Sequence, residues 1–244
     1  MILPRLYREL AEYWPLLSPP DDYVQESALL RDLVLQQHQQ VRRKPTLLEL
    51  GVGGGHTLSH IAGEVEATGV DLSPEMLRQC HQLVPSLELI EGDLRYVRLE
   101  RTFDLVFLHD AADYLLDVHD LDAALETIRV HLAPGGIAAI APTYVAETFV
   151  PHEFSTDQQS AGDELTISFL SYVHDPNPND TEFEMIIVYL INRCGSVQVE
   201  EDRHRCGLLP TGTWLDRLRQ AHLDAEVRDD EMWRLFVARH APGH

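Results

Sequence analysis

Glycines are the residues of this chain that most plainly invite a ligand. In the string LLELGVGGG, Gly51, Gly53 and Gly55 follow an apolar strand-like run and precede a helical pattern. Residues without a Cβ at such a turn let a ligand approach the carboxyl edge of a sheet, although tight strand-to-helix packing uses the same turn. Three kinds of cofactor are held by loops of this type. A phosphate cradle needs GxxxxGK followed by Ser or Thr, and the only lysine, Lys44, stands before the strand. ATP chemistry by that route is excluded. The dinucleotide fingerprint GxGxxG has its third glycine where this chain has His56. The Tyr-xxx-Lys pair of short-chain reductases cannot occur after Lys44. A nicotinamide-dependent oxidoreductase is therefore a disfavoured alternative, and adenosylmethionine fits what remains.

On these residues the chain resembles the class I S-adenosylmethionine-dependent methyltransferases. ELGVGGG looks like their first motif, in which Glu49 sits behind the loop while Gly51 and Gly53 approach the methionine part. The resemblance implies that Asp71, at the end of the second strand, accepts from both ribose hydroxyls, where an acidic side chain belongs. Asp93, in IEGDLR, would accept from the adenine amino group with Leu94 beside the ring. It also assigns Tyr23, Leu72, Met76 and His109 to the cofactor. The spacing is further similar to bacterial N-methyltransferases of nucleotide-linked amino sugars, including PTYVAETF after the fifth strand. The Asn or Asp followed by Pro-Pro and an aromatic, found in methylases of DNA and protein nitrogens, is missing: the fourth strand ends in His109-Asp110-Ala111-Ala112.

Methyl transfer from a sulfonium is an in-line displacement that needs alignment and exclusion of water more than a catalytic triad. An ammonium acceptor must also lose a proton, which suits a histidine. His204, in EDRHRCG, is the first candidate for that base and His109 the second. Gln198, Glu200, Asp202 and His204 alternate, so a solvated strand face is the competing reading of His204. The resemblance implies a lid over the cofactor from the aromatic cluster Tyr7, Tyr13, Trp14 and Tyr23. Tyr7, Tyr13, Trp14, Tyr144 and Glu147 are the acceptor-binding candidates, with Phe149 and His152 nearby by position. Cys194, His204 and Cys206 lack metal-site spacing, and no metal is expected.

Several elements must position these groups. A short helix and a Ser-Pro-Pro-Asp-Asp stop precede a helix over Glu26–Gln40, with Leu29, Leu30, Leu33 and Val34 at helical spacing. TLLELGV, GGGHTLSHIAGEV and ATGVDL read as strand, helix and strand. Ser73 and Pro74 start the next helix as N-cap and first residue. LELIEGD and FDLVFLHD are strands, Leu121–Leu132 a helix ending at Pro134-Gly135-Gly136, and IAAIAPTY a strand. Leu165–Val173, Phe183–Ile191 and Val197 to about Arg203 alternate without helices between them. A helix returns at Thr213 with Thr213 and Asp216 at capping-box spacing, and strands near AEVRDD and RLFVARH finish the chain. The expected fold is one α/β domain, residues 1–244. It has a doubly wound, mostly parallel seven-stranded, Rossmann-like methyltransferase sheet and an antiparallel β insertion after the fifth strand. Residues 1–25 would be the lid, and 148–210 the insertion, forming an acceptor pocket or a dimer contact.

The 244 residues carry a net charge of -21 with 44% hydrophobic residues. That field opposes nucleic-acid phosphates and suits neutral or cationic small molecules. Three cysteines without CxxC spacing fit a reducing, cytoplasmic setting. No apolar run approaches the ~20 residues of a membrane span. The leading expectation is methyl transfer to a small molecule, nitrogen slightly ahead of oxygen. A non-catalytic protein that binds adenosylmethionine or adenosylhomocysteine is the second reading, and a homodimer would follow if the insertion's edges pair.

Overall fold

The computed structural model describes residues 3–38, 43–162, 164–229 and 234–243. After short 3₁₀ turns comes α1 (Trp14–Leu17) and then α2 (Val24–His38). The core alternates β1 (Thr46–Leu50), α3 (His56–Ser59), β2 (Glu66–Asp71), α4 (Pro74–Leu83), β3 (Glu88–Glu91), β4 (Phe103–Leu108), α5 (Val118–His131) and β5 (Leu132–Ile140). Four strands follow without a helix: β6 (Phe154–Ala161), β7 (Leu165–His174), β8 (Glu182–Arg193) and β9 (Ser196–Gly207). Then come α6 (Thr211–Gln220), β10 (Leu223–Asp229) and β11 (Arg234–His240).

The seven core strands have the order β10-β11-β5-β4-β1-β2-β3. Five are parallel, and β11 runs antiparallel to both β5 and β10. β1 is central and reads TLLEL because both its faces are covered: Leu47, Leu48 and Leu50 are fully buried. One apolar layer packs α5 and α6 on one face, the other packs α2 and α4 on the opposite face. The doubly wound core is therefore as the pattern predicts. The chain leaves β1 for β2 on one side and reaches β4 on the other, so a crevice opens at the carboxyl ends of β1 and β4.

β6 to β9 form the antiparallel insertion in sequential order. β8 and β9 pair along their whole length and turn through Cys194 and Gly195, both at positive φ (51° and 85°), the signature of a two-residue hairpin twisted to match its strands. Its inner side buries Ile167, Ile187, Tyr189 and Ile191 against Leu6, Leu10 and Tyr13 of the N-terminal segment.

Three local expectations need correction. β6 has no counterpart in the sequence pattern, because FSTDQQSA is polar and almost wholly exposed, leaving no buried face to impose alternation. The helix expected over GGGHTLSHIAGEV is only His56–Ser59, since the chain tightens into turns through Gly63 before β2. α6 starts at Thr211, not Thr213, with no side-chain cap from its own N-cap Pro210. Glu147 instead accepts from the Thr211 N–H at 3.0 Å and from its hydroxyl at 3.0 Å, a carboxylate serving the orphan donors of a helix start.

Candidate active site

The crevice is closed by a loop whose geometry the glycines make possible. Gly51, Gly53 and Gly55 all have positive φ. A Cβ on Gly51 would lie 2.1 Å from the Ala111 Cβ, so the loops after β1 and β4 meet only without a side chain there. Gly54 is crowded from the other side, by the Trp14 indole at 2.6 Å from its would-be Cβ. The loop is tied to β2 by Gly51 and Val52 N–H groups donating to Val70 O at 2.7 and 2.9 Å. The Asp71 carboxylate then accepts from Gly53 N–H and Ser73 N–H, each at 2.8 Å. Ser73 caps α4 by accepting from Met76 N–H, as expected, and its hydroxyl donates to Tyr7 O at 2.5 Å.

These elements enclose a cavity of about 140 Å³. Glu49, Gly51, Gly53, Asp71, Leu72, Met76, Asp93, Leu94, His109 and Tyr23, the whole expected cofactor set, line it. Tyr7 and Trp14 close it from the N-terminal segment. Three buried polar atoms at its wall have no hydrogen-bond partner among the described residues: Trp14 Nε1, Glu49 Oε2 and His56 Nδ1. His56 lies under Trp14, stacked at 5.9 Å between centroids, with the Tyr23 ring edge-on at 5.4 Å.

The wall is acidic. Burial pushes Glu49 well above the usual carboxylate range, and Glu26, Asp71 and Asp110 reinforce it. Burial likewise raises Asp71 and Glu26, with the N–H bonds of Asp71 opposing it. Burial and the neighbouring Asp110 hold Asp113 up at about 7. Burial lowers His56 to about 4, leaving it neutral. Asp93 is the exception: burial alone would raise it, but Arg95 grips it at 2.6 Å and holds it below the usual range. His109 bridges the acidic groups, with Nδ1 3.4 Å from Glu26 Oε1 and Nε2 3.1 Å from Asp110 Oδ1.

His204 does not line the cavity. It is fully buried one layer behind, where its Nδ1 meets the Tyr114 hydroxyl at 2.8 Å, and Tyr114 meets the Tyr7 hydroxyl at 3.0 Å. Its Nε2 is 3.2 Å from Asp202 Oδ2, close enough for charge attraction but off the hydrogen-bond direction. Asp202 also accepts from Arg5 and Leu6 N–H at 2.9 and 2.7 Å. The solvated-face reading of this strand thus divides: Gln198 faces water, Glu200 is half-buried against Arg5, and Asp202 and His204 are buried.

Three other acceptor candidates lie outside the cavity. Tyr13 is packed beneath β7 and β8. Tyr144 is held edge-on by Phe149 and Phe183, at 5.4 Å each, in a small aromatic core. Glu147 serves α6 as described. His152 instead pairs with the Tyr172 hydroxyl at 2.6 Å. Unforeseen cavity residues include His56, Thr57, Arg95, Asp110 and Tyr114, with Glu26 beside them. His56 carried a signal, since it stands where a dinucleotide loop has glycine; Glu26 carried none, because its approach depends on how α2 packs.

Comparison with known proteins bears out the resemblance. Residues 47–136 match the family model described as a methyltransferase domain. The chain is 32% identical over 138 residues to a dTDP-3-amino-3,4,6-trideoxy-alpha-D-glucopyranose N,N-dimethyltransferase of Streptomyces venezuelae, covering 56% of this chain and 57% of that one. It is 34% identical over 98 residues to a trans-aconitate 2-methyltransferase of Azoarcus sp., covering 39% and 38%. The chain thus spans from about two-fifths to little more than half the length of these curated relatives. The solved structure of Streptomyces venezuelae DesVI superposes with a TM-score of 0.81 at 27% identity, covering 90% of this chain and 92% of that one. The fold is that of Rossmann-like methyltransferases.

Proposed function

We propose that this chain transfers a methyl group from S-adenosylmethionine to a nitrogen of a small-molecule acceptor. The observation that carries the reading is Asp71 locked onto the Gly53 and Ser73 amides at the mouth of a cavity whose Glu49 oxygen has no protein partner. Residues and cofactor fit on three counts. The carboxylates suit a cationic sulfonium and amine, the glycines leave backbone bare, and the unpartnered Glu49 oxygen awaits a donor. Glu49, Gly51 and Gly53 would hold the methionine part, Asp71 the ribose, and Asp93, Leu94 and Met76 the adenine, with Leu72, Tyr23 and His109 completing the wall. When bound, the cofactor supplies an electrophilic methyl group on positively charged sulfur.

Everything else falls to the protein. Tyr7 and Trp14 exclude water and form the lid, residues 1–25, over the cavity. The insertion, residues 148–210, supports that lid from behind and gives Tyr114 its partner. In the structure the Tyr114 hydroxyl donates to Tyr7 Oη; turned the other way it donates to His204 Nδ1 and accepts from Tyr7. A proton leaving an ammonium acceptor has that route outward to His204, with Asp202 balancing the imidazolium. His204 would thus act at one remove, through Tyr114. Tyr13, Tyr144 and Glu147 shape the surroundings and touch neither ligand.

No nucleic acid or membrane partner belongs to this reading. No helix among the described residues is long and apolar enough to cross a membrane. Three free thiols suit the cytoplasm. A homodimer would cover Leu170, Leu190, Val197 and Val199, exposed apolar side chains on the outer side of the insertion. The test of the whole reading is a thermal-shift and calorimetric panel. Adenosylmethionine and adenosylhomocysteine should each stabilise the protein while NADH should not, and pooled amines should yield adenosylhomocysteine. Absence of affinity for either sulfur ligand overturns it; affinity without any turnover favours the non-catalytic alternative.

A further inference from the structure

Resting on the methyl-transfer reading, we propose that Arg95, anchored on α5 by Asp120, is the positioning residue that makes the base subsite select a 6-aminopurine over a 6-oxopurine. The base is read through Asp93, which lines the cavity just after β3 and is assigned above to the adenine amino group. An acceptor of this kind discriminates only while it stays ionised and cannot turn. A carboxyl group free to take up a proton and rotate can donate to the carbonyl of hypoxanthine as readily as a carboxylate accepts from the amino group of adenine.

Both freedoms are removed. Arg95 Nε donates to Asp93 Oδ1 at 2.9 Å and Nη2 donates to Oδ2 at 2.6 Å, the two-pronged grip of a guanidinium on a carboxylate. The Arg95 backbone N–H adds a third bond to Oδ1 at 2.9 Å. Roughly one of the four acceptor positions of a carboxylate is then left for a ligand. Burial alone would raise Asp93, and Arg95 holds it below the usual range, so it meets the base as an acceptor only. The arginine is fixed in turn: its Nη1 donates to Asp120 at 2.5 Å and its carbonyl accepts from the Thr127 hydroxyl at 2.7 Å. Asp120 and Thr127 are two turns apart on one face of α5. Asp120 is not among the cavity-lining residues, so it acts on the base through Arg95. A 6-oxopurine sets its carbonyl oxygen against the clamped carboxylate with no proton between them, and a site built around a donor rejects such an analogue strongly.

The test titrates the protein calorimetrically with adenosylhomocysteine and with S-inosylhomocysteine, which differ only in the base. The wild type should favour the adenosyl ligand by at least about 30-fold. Arg95→Met and Arg95→Lys should each bring that ratio below about fivefold, the lysine because an ammonium keeps the charge without the fork. Asp120→Asn, outside the cavity, should lower the ratio by about threefold. The inference is overturned if the wild type binds the two ligands within about threefold of each other, or if the ratio in the variants stays at the wild-type value. A parallel loss of both affinities at constant ratio is what a merely structural role would give, and it overturns the inference equally. Melting curves precede the titrations, and should the Arg95 variants fail to fold, Asp120→Asn decides alone. Failure of adenosylhomocysteine to bind the wild type would instead overturn the methyl-transfer reading.

Discussion

The two walls of the cavity are built in different ways. The wall at the tips of β1, β2 and β3 is made of residues adjacent to strand ends, and its hydrogen bonds link positions close in sequence, such as Gly53 to Asp71 and Ser73 to Met76. The facing wall joins the N-terminal segment, the loop after β4 and strand β9, through contacts such as Arg5 to Asp202 and Tyr7 to Tyr114. The first is fixed by backbone geometry and is the wall proposed to bind the cofactor. The second is assembled only when three distant stretches dock, which leaves it free to vary with the acceptor.

Breaking the first wall should have the largest effect. Asp71→Ala removes the acceptor of two loop amides and the proposed ribose ligand, and should weaken adenosylmethionine by roughly 100-fold in calorimetry, about 2.7 kcal/mol. An unchanged affinity would mean that the first wall is not the cofactor's. Asp202→Ala strikes the second wall instead. It strands two buried amides and His204 and should cost ~2–4 kcal/mol in urea unfolding. It should also speed proteolysis near Leu3–Tyr13, whereas Asp71→Ala should leave that cleavage unaltered. Glu147→Ala, outside both walls, should lower stability by about 1 kcal/mol through the lost α6 cap while leaving cofactor affinity intact. A fall in affinity would return Glu147 to the site.

Asp113→Asn makes the smallest change and carries a pH signature. This carboxyl titrates higher in the folded protein, at about 7, than its ordinary 3.8. Its neutral form therefore supports the fold at acid pH, and that support is lost as pH rises from about 4 to about 7. The variant should melt roughly 2–4 °C above wild type at pH 8 and converge with it near pH 4. A gap independent of pH would place the cause elsewhere.

The same division explains what could be read in advance. β1, β2 and β4 were legible because buried parallel strands are apolar throughout, and Glu49, Asp71 and Asp93 because each occupies a strand tip. Tyr144 and Glu147 were placed in the acceptor site by position alone, and packing against Phe183 and capping of α6 took them away. His204 has the chemistry of a base but sits behind Tyr114, since alternation along β9 says which side it faces and not how deep that side lies. Glu26 and Asp110 come together across His109 only through the docking of α2 and the β4 loop.

The tight turn between β8 and β9 has one practical consequence. Of the three thiols, Cys80 and Cys206 are buried, whereas Cys194 is exposed at that turn. A maleimide fluorophore added to the native protein should couple once per chain, at the tip of the insertion. Energy transfer between donor- and acceptor-labelled copies would then report directly whether two insertions come together in solution.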